Sequence, residues 1–299
     1  MKNKFNIINA FLGLVLLFSA CTPTVNELGP LMDKSQLKFT ITSDATNPNK
    51  VILKSLTPGL TPMWVTPTGN SVRVNDTLIV PFPGTYNFVY GVESGAGLVQ
   101  ADTFKLTLTT IDEVFVSDSL WTNLTGGIGN EKIWYLDINA AGTSKYFTSP
   151  KYFTGSEDTW DTYLLRATGQ TDAQISAALG TTVANTWLWA PTWKDNTWIM
   201  PAADYGSMTF DLKGGPNVKV NHLTIPSLGN QSGKFMLDAK KHTLSLNNAA
   251  IIHNSGSEAD SKGGWSNLKI LTLSKDHMQL NAPGAGSYNF VTKTYYDSH

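Results

Sequence analysis

Short segments in which apolar and polar residues alternate one by one, each closed by a Pro- or Gly-containing turn, recur along most of this 299-residue chain. A period of two is the mark of a strand with one buried face, so the pattern commits the chain to an all-β fold. Leu37-Lys38-Phe39-Thr40-Ile41-Thr42 points Leu, Phe and Ile one way and its polar groups the other. Val51-Ile52-Leu53, Thr77-Leu78-Ile79-Val80, Tyr86-Asn87-Phe88-Val89-Tyr90 and Phe104-Lys105-Leu106-Thr107-Leu108-Thr109 continue the series, with turns such as Thr57-Pro58-Gly59 between them. Strands this short, with turn signals this frequent, predict a small antiparallel sandwich over 37–112.

A second, larger domain is expected over 113–299. Its clearest strands are Ile133-Trp134-Tyr135-Leu136-Asp137-Ile138, Met208-Thr209-Phe210-Asp211-Leu212, Phe235-Met236-Leu237-Asp238, Thr243-Leu244-Ser245-Leu246, Leu268-Lys269-Ile270-Leu271-Thr272-Leu273 and Tyr288-Asn289-Phe290-Val291. They predict a larger β-sandwich, jelly-roll-like, interrupted by one short helix. Thr171 caps that helix, Gln174 stands three residues on as in a capping box, and Gly180 ends it.

The first twenty residues have a different chemistry. Lys2 and Lys4 precede an apolar run over 7–18, and Ser19-Ala20 supply the small residues of a cleavage site. This run is twelve residues long, with Asn9 and Gly13 its weakest members, and falls short of the roughly 20 that a helix needs to cross a bilayer, so 1–20 reads as a signal peptide. Cys21, the single cysteine of the chain, follows directly, in a setting that resembles a lipobox with Phe18 where Leu is usual. Acylation of its thiol would anchor the chain, each buried methylene adding about 0.8 kcal/mol. A lone cysteine leaves no disulfide framework and no redox pair. Residues 21–36, polar and carrying Pro23, Gly29 and Pro30, read as a flexible tether. Without residues 1–20 the chain keeps 20 basic and 23 acidic residues and no basic run, which argues against a nucleic-acid partner.

Pro83-Gly84-Thr85-Tyr86-Asn87-Phe88 resembles the Pro-Gly-Thr-Tyr strand entry of PKD-type immunoglobulin-like domains, and Trp64 stands where that family has its core Trp. The family's Gly-Asp-Gly turn is replaced here by Pro67-Thr68-Gly69-Asn70. The resemblance covers about 75 residues and implies an Ig/PKD-like spacer.

Functional chemistry concentrates in Trp187-Leu188-Trp189-Ala190-Pro191-Thr192-Trp193-Lys194-Asp195-Asn196-Thr197-Trp198. A core strand would be built of Leu, Ile and Val; four Trp mixed with Pro, Asp and Asn point to an irregular segment that presents flat rings. Such rings suit sugars, whose C–H faces pack on an indole while the hydroxyl rim takes fixed donors and acceptors. Trp187, Trp189, Trp193 and Trp198 are therefore the expected glycan platform, and Asp195 and Asn196 the hydroxyl contacts, beside Lys194. Trp160 and Trp265 are further candidate walls. The plainer reading is that some of these Trp are core, as Trp134 is expected to be.

Other chemistry has less support. His222, His242, His253, His277 and His299 show no ligand spacing, and the loop that holds Glu258 and Asp260 lacks an Asp-x-Asp-x-Asp-Gly pattern. No cofactor is expected; a structural calcium on Glu258 and Asp260 stands against a solvated loop as the alternative. Asp158 with Asp161, or Glu131 with Asp137, could supply the two carboxylates of a glycosidase, but spacing alone does not set them face to face. Neither Glu-x-Asp-x-x-Glu nor Gly-x-Ser-x-Gly occurs.

Leu124-Thr125-Gly126-Gly127, Lys132-Ile133-Trp134-Tyr135-Leu136-Asp137, Asp204-Tyr205-Gly206-Ser207-Met208-Thr209-Phe210, Met278-Gln279-Leu280 and Tyr288-Asn289-Phe290-Val291 resemble, in order, segments of the small lipoproteins encoded beside outer-membrane glycan importers in Bacteroidetes. The similarity spans most of 120–299. It implies a non-catalytic outer-membrane lipoprotein, facing the cell exterior, that captures polysaccharide for neighbouring import proteins. The residues after Cys21, Thr-Pro-Thr-Val-Asn-Glu, lack the acidic cluster that often directs such lipoproteins outward. The alternatives are a glycoside hydrolase of β-sandwich fold and a structural or adhesin-like lipoprotein. Replacing the thiol, Cys21→Ser, is expected to move the expressed chain from the membrane fraction to the soluble fraction; persistence at the membrane would refute lipid anchoring.

Overall fold

The computed structural model describes residues 30–255 and 264–299. Residues 1–20, read above as a signal peptide, Cys21, and Glu258 and Asp260 lie outside the described residues. The described chain is predominantly β, with eighteen strands and four short α-helices. It divides into two compact units whose boundary is not a single point near 112. The first takes the chain up to Thr42, with Ile52–Leu78 and Asn87–Lys105; the second takes Ser43–Val51, Ile79–Tyr86 and Leu106–His299.

The N-terminal strands are β1 (Phe39–Ser43), β2 (Lys50–Ser55), β3 (Thr61–Thr66), β4 (Gly69–Ser71), β5 (Asn75–Ile79), β6 (Gly84–Ser94), β7 (Gly97–Gln100) and β8 (Phe104–Leu108). They form two separate sheets, one ordered β1-β2-β5 and one ordered β4-β3-β6-β7 with β8 also on β6. β3 went unrecognised in the sequence because Pro62 interrupts its pattern. Within the first unit Trp64 is fully buried, 4.5 Å from the ring of Tyr90, and its indole N–H donates to the carbonyl of Arg73. Phe39 stacks on Tyr90 at 4.7 Å, and the Tyr90 hydroxyl meets Ser55 Oγ at 2.6 Å, so the buried polar atom of the cluster is satisfied.

The second unit closes one sheet into a barrel, where a sandwich was expected. Helix α1 (Ser119–Thr125) precedes β9 (Glu131–Leu136). The barrel then runs through β12 (Gly206–Asp211), β13 (Asn217–His222), β14 (Asn230–Asp238), β15 (Thr243–Asn247), β16 (Asn267–Leu273), β17 (His277–Ala282) and β18 (Gly286–Thr292). Each strand pairs antiparallel with the next, and β18 returns to β9 through Phe290↔Leu136 and Thr292↔Trp134. Alternation could not decide between these outcomes, because a sandwich and a barrel both ask only for one buried face per strand.

Eight strands leave an interior that side chains fill. Trp134, Leu136, Met208, Phe210, Val218, Val220, Phe235, Leu237, Leu244, Leu246, Leu268, Ile270, Met278, Leu280, Tyr288 and Phe290 belong to one buried cluster. Facing pairs obey the register, as in Met208↔Trp134, Phe235↔Leu246 and Phe290↔Met278. A bulge between Ile270 and Thr272 of β16 shifts the alternation there. Helix α1 packs its Trp121 5.7 Å from Phe235. Its C-terminal carbonyls, which a helix cannot satisfy internally, accept from the Trp134 indole (2.9 Å, Leu124) and the Lys132 ammonium (2.8 Å, Asn123). Asp118 caps its start and Gly126, at φ 85°, its end. This helix was missed because seven residues are too few to show a 3.6-residue period.

The last helix, α4 (Lys293–Ser298), follows β18. A Phe210→Ala substitution, which empties a fully buried position in the barrel, is expected to destabilise the second unit by about 3–5 kcal/mol, read as a lower urea midpoint. A change under about 1 kcal/mol would contradict a packed interior.

Candidate functional site

The long connection between β9 and β12 carries β10 (Lys151–Thr154), α2 (Trp160–Ala167), α3 (Asp172–Leu179) and β11 (Leu188–Trp189), then two 3-10 turns at Trp193–Asp195 and Thr197–Ile199. Helix α3 follows its sequence signals closely: Thr171 and Gln174 form the capping box and Gly180 ends it at φ 65°. Helix α2 has the same device with Thr159 and Thr162, and its Thr-x-x-Thr signature is weaker than the Gln version.

Buried polar groups fasten this connection. Asp137, fully buried, accepts backbone N–H bonds from Lys145 (2.6 Å), Tyr146 (3.0 Å) and Phe147 (2.6 Å). Asn289 of β18 donates to the carbonyl of Ser149, while Gln279 of β17 donates to Asn289 Oδ1, both at 2.8 Å. Asp158, also buried, accepts from the amides of Gly155 (2.7 Å) and Trp187 (3.3 Å). Burial pushes the carboxyls of Asp137 and Asp158 above the usual range, against the pull of those amides. Both carboxylates are thus occupied by backbone donors, Asp161 is exposed, and Glu131 is ion-paired with Lys213.

From that base β10 pairs with β18 on one side (Lys151↔Tyr288, Tyr152↔Ser287) and with β11 on the other (Phe153↔Trp189, Thr154↔Leu188). The second pairing sets Phe153 and Trp189 side by side, ring centroids 5.1 Å apart and planes 25° apart. Trp198, from the second 3-10 turn, stacks on Trp189 at 6.1 Å and 27°. Trp187, Trp189 and Trp198 keep 48 %, 43 % and 70 % of their surfaces exposed. The result is a file of rings that starts at Phe153, half-buried against the core, and opens to solvent at Trp189 and Trp198, with Trp187 two residues along the same strand direction.

Trp193 plays another part. It is half-buried, its indole N–H donates to the Met200 carbonyl at 2.8 Å, and its ring lies where a Cβ on Gly142 (φ 72°) would collide at 2.5 Å. Only glycine fits opposite it, and the ring serves to pin the loop. Asp195 and Lys194 are exposed, and the Asn196 amide donates to the Thr192 carbonyl at 3.0 Å, which shapes its own turn.

The two outlying candidates stand apart. Trp265 is a correction: at 6 % exposure it lies flat on His253, 3.7 Å away and 6° from parallel, within the barrel's buried cluster. Its Gly263-Gly264 setting had the look of an open loop, but a large apolar ring beside a barrel end is drawn into the core. Trp160 is half-buried and stacks on His242 at 4.4 Å, with no ring contact to the file. Phe153 was missed in the sequence. Lys151-Tyr152-Phe153-Thr154 is too short, between Pro150 and Gly155, to announce a strand.

Lys151 shares the Phe153 side of β10. Its buried ammonium lies 5.2 Å from the ring centres of Phe153 and Tyr288, and desolvation pushes its pKa down. Among the described residues no group of three or more His, Cys, Asp or Glu is placed to hold a metal ion, and no helix is long and apolar enough to cross a membrane. The chain matches no family model and no curated protein.

Gly155 lets the Trp187 strand approach: a Cβ there would stand 1.7 Å from the Asn185 carbonyl oxygen. Gly155→Ala is expected to displace 185–189, costing about 1–3 kcal/mol and altering the tryptophan emission. An unchanged spectrum and midpoint would show that the close approach does not hold the face together.

Proposed function

We propose that the exposed rings of Trp189 and Trp198, backed by the half-buried Phe153 and joined by Trp187, are a non-catalytic platform that captures polysaccharide. The observation that carries the reading is three tryptophans of one twelve-residue segment left open to solvent, on a connection held by buried polar anchors. Each partly open indole forgoes a share of the roughly 1.5–3 kcal/mol that full burial of a large apolar side chain brings, so three together call for an occupant. Sugar C–H faces are a fitting one, and Asp195 and Lys194, exposed in the turn that precedes Trp198 in the chain, are candidates for hydroxyl contacts. Rings preset by strand pairing lose little freedom on binding. Asp137 and Asp158, both engaged by backbone amides, favour capture over hydrolysis of the glycan.

In this reading Cys21 carries the lipid that holds the chain to the outer membrane, facing outward. The tether and an Ig/PKD-like first domain then space the barrel from the surface, toward neighbouring glycan-import proteins. The buried Trp64 and the two small sheets around it support the spacer assignment.

The test is retardation of the purified chain in native gels loaded with single polysaccharides. Trp189→Ala and Trp198→Ala are each expected to weaken retention about tenfold, or about 1.4 kcal/mol, with the melting temperature nearly unchanged. Trp265→Ala should lower stability instead. If no polysaccharide slows the wild-type chain, or the two variants migrate as wild type does, glycan capture at this face is refuted.

A further inference from the structure

We propose that the aromatic face takes uncharged polysaccharide chains and rejects acidic ones; this rests on the glycan-capture reading above. The charges around the rings carry the argument. Between Asp172 and Asp204 the only charged residues are Lys194 and Asp195, adjacent, exposed and opposite in sign.

Among the described residues the cations packed around the face are engaged: the Lys269 ammonium of β16 donates to the carbonyls of Ser156 (2.9 Å) and Asp158 (3.2 Å). The Arg166 guanidinium of α2 is taken up by Asp172 and by the carbonyls of Gln170 (3.0 Å) and Thr186 (2.9 Å). The Lys151 ammonium is buried between the rings of Phe153 and Tyr288, not presented on the surface. Asp158 is bound by the Gly155 and Trp187 amides, and the exposed carboxylates nearest in chain, Glu157 and Asp161, are negative.

A uronate or sulfated chain brings an anion on many of its sugars. Each anion that leaves water needs a guanidinium or ammonium to replace the lost hydration. Here the exposed Lys194 is followed directly by the carboxylate of Asp195, the Lys269 ammonium is taken up by backbone carbonyls, and the faces of indole rings are themselves electron-rich. An uncharged sugar meets neither cost. It offers C–H bonds to the rings and hydroxyls to Asp195, which accepts rather than donates and so repels carboxylate and sulfate.

The experiment compares, in native affinity gels, a set of uncharged polysaccharides (β-glucan, xyloglucan, galactomannan, arabinoxylan) with acidic ones (polygalacturonate, alginate, chondroitin sulfate). At least one uncharged chain should retard the protein and none of the acidic chains should. For the retained glycan, affinity by calorimetry should vary less than about twofold between about 0.05 M and 0.5 M salt. Trp198→Ala should weaken that binding about tenfold. Retention by an acidic chain that is lost in Trp198→Ala, or affinity that falls steeply with salt, overturns this proposal and leaves glycan capture standing. Failure of every polysaccharide removes glycan capture itself, and this proposal with it.

Discussion

Strand β18 has three neighbours along its seven residues, and the architecture of the second unit follows from how it divides them. Its far side is bonded throughout to β17. On the near side Phe290 to Thr292 pair with β9 and close the barrel, while Ser287 and Tyr288 pair with β10. A strand edge has one set of N–H and C=O groups, so β9 and β10 must share it end to end. Closure therefore removes the barrel's edge and at the same point leaves a short free stretch on which the long connection is seated. β10 then exposes its other edge to β11, and that pairing brings Phe153 to Trp189.

The seating is polar because it lies on the outside of the barrel. Inward positions of β17 and β18 are Met278, Leu280, Tyr288 and Phe290; the positions between them include Gln279, Ser287 and Asn289, all buried under the connection. Each finds a partner: Gln279 with Asn289, Asn289 with the Ser149 carbonyl, Ser287 with Thr154. Buried amides and hydroxyls that are fully paired fix one geometry, whereas a greasy contact would tolerate sliding. That fixity holds the connection on which Trp189 and Trp198 stand open to solvent, while Phe153 packs against the core.

The division of the tryptophans follows the same logic. Trp134 and Trp265 stand at the barrel interior or its end and are drawn in, with Trp134 donating its N–H to the Leu124 carbonyl. Trp193 is held halfway by Gly142 and Met200. Trp187, Trp189 and Trp198 lie on the connection outside the barrel cluster and keep much of their surface in solvent. Of the platform read from sequence, three rings are presented together, one has become a support, and Phe153 joins from a strand remote in the chain.

Local chemistry was legible in the amino-acid order alone. The two-residue alternation established β structure, Thr171, Gln174 and Gly180 marked out α3, and the mixture of Trp with Pro, Asp and Asn located the exposed segment, because each of these depends on neighbours within a few residues. Closure of the sheet, the partition of β18 between β9 and β10, the burial of Trp265 and the placing of Phe153 against Trp189 were settled only by the tertiary structure. They depend on which backbone edge meets which across tens of residues for β10 with β11 and more than a hundred for β18 with β9 and β10, and a period of two is the same whether a strand's edge pairs, closes a barrel or is left open.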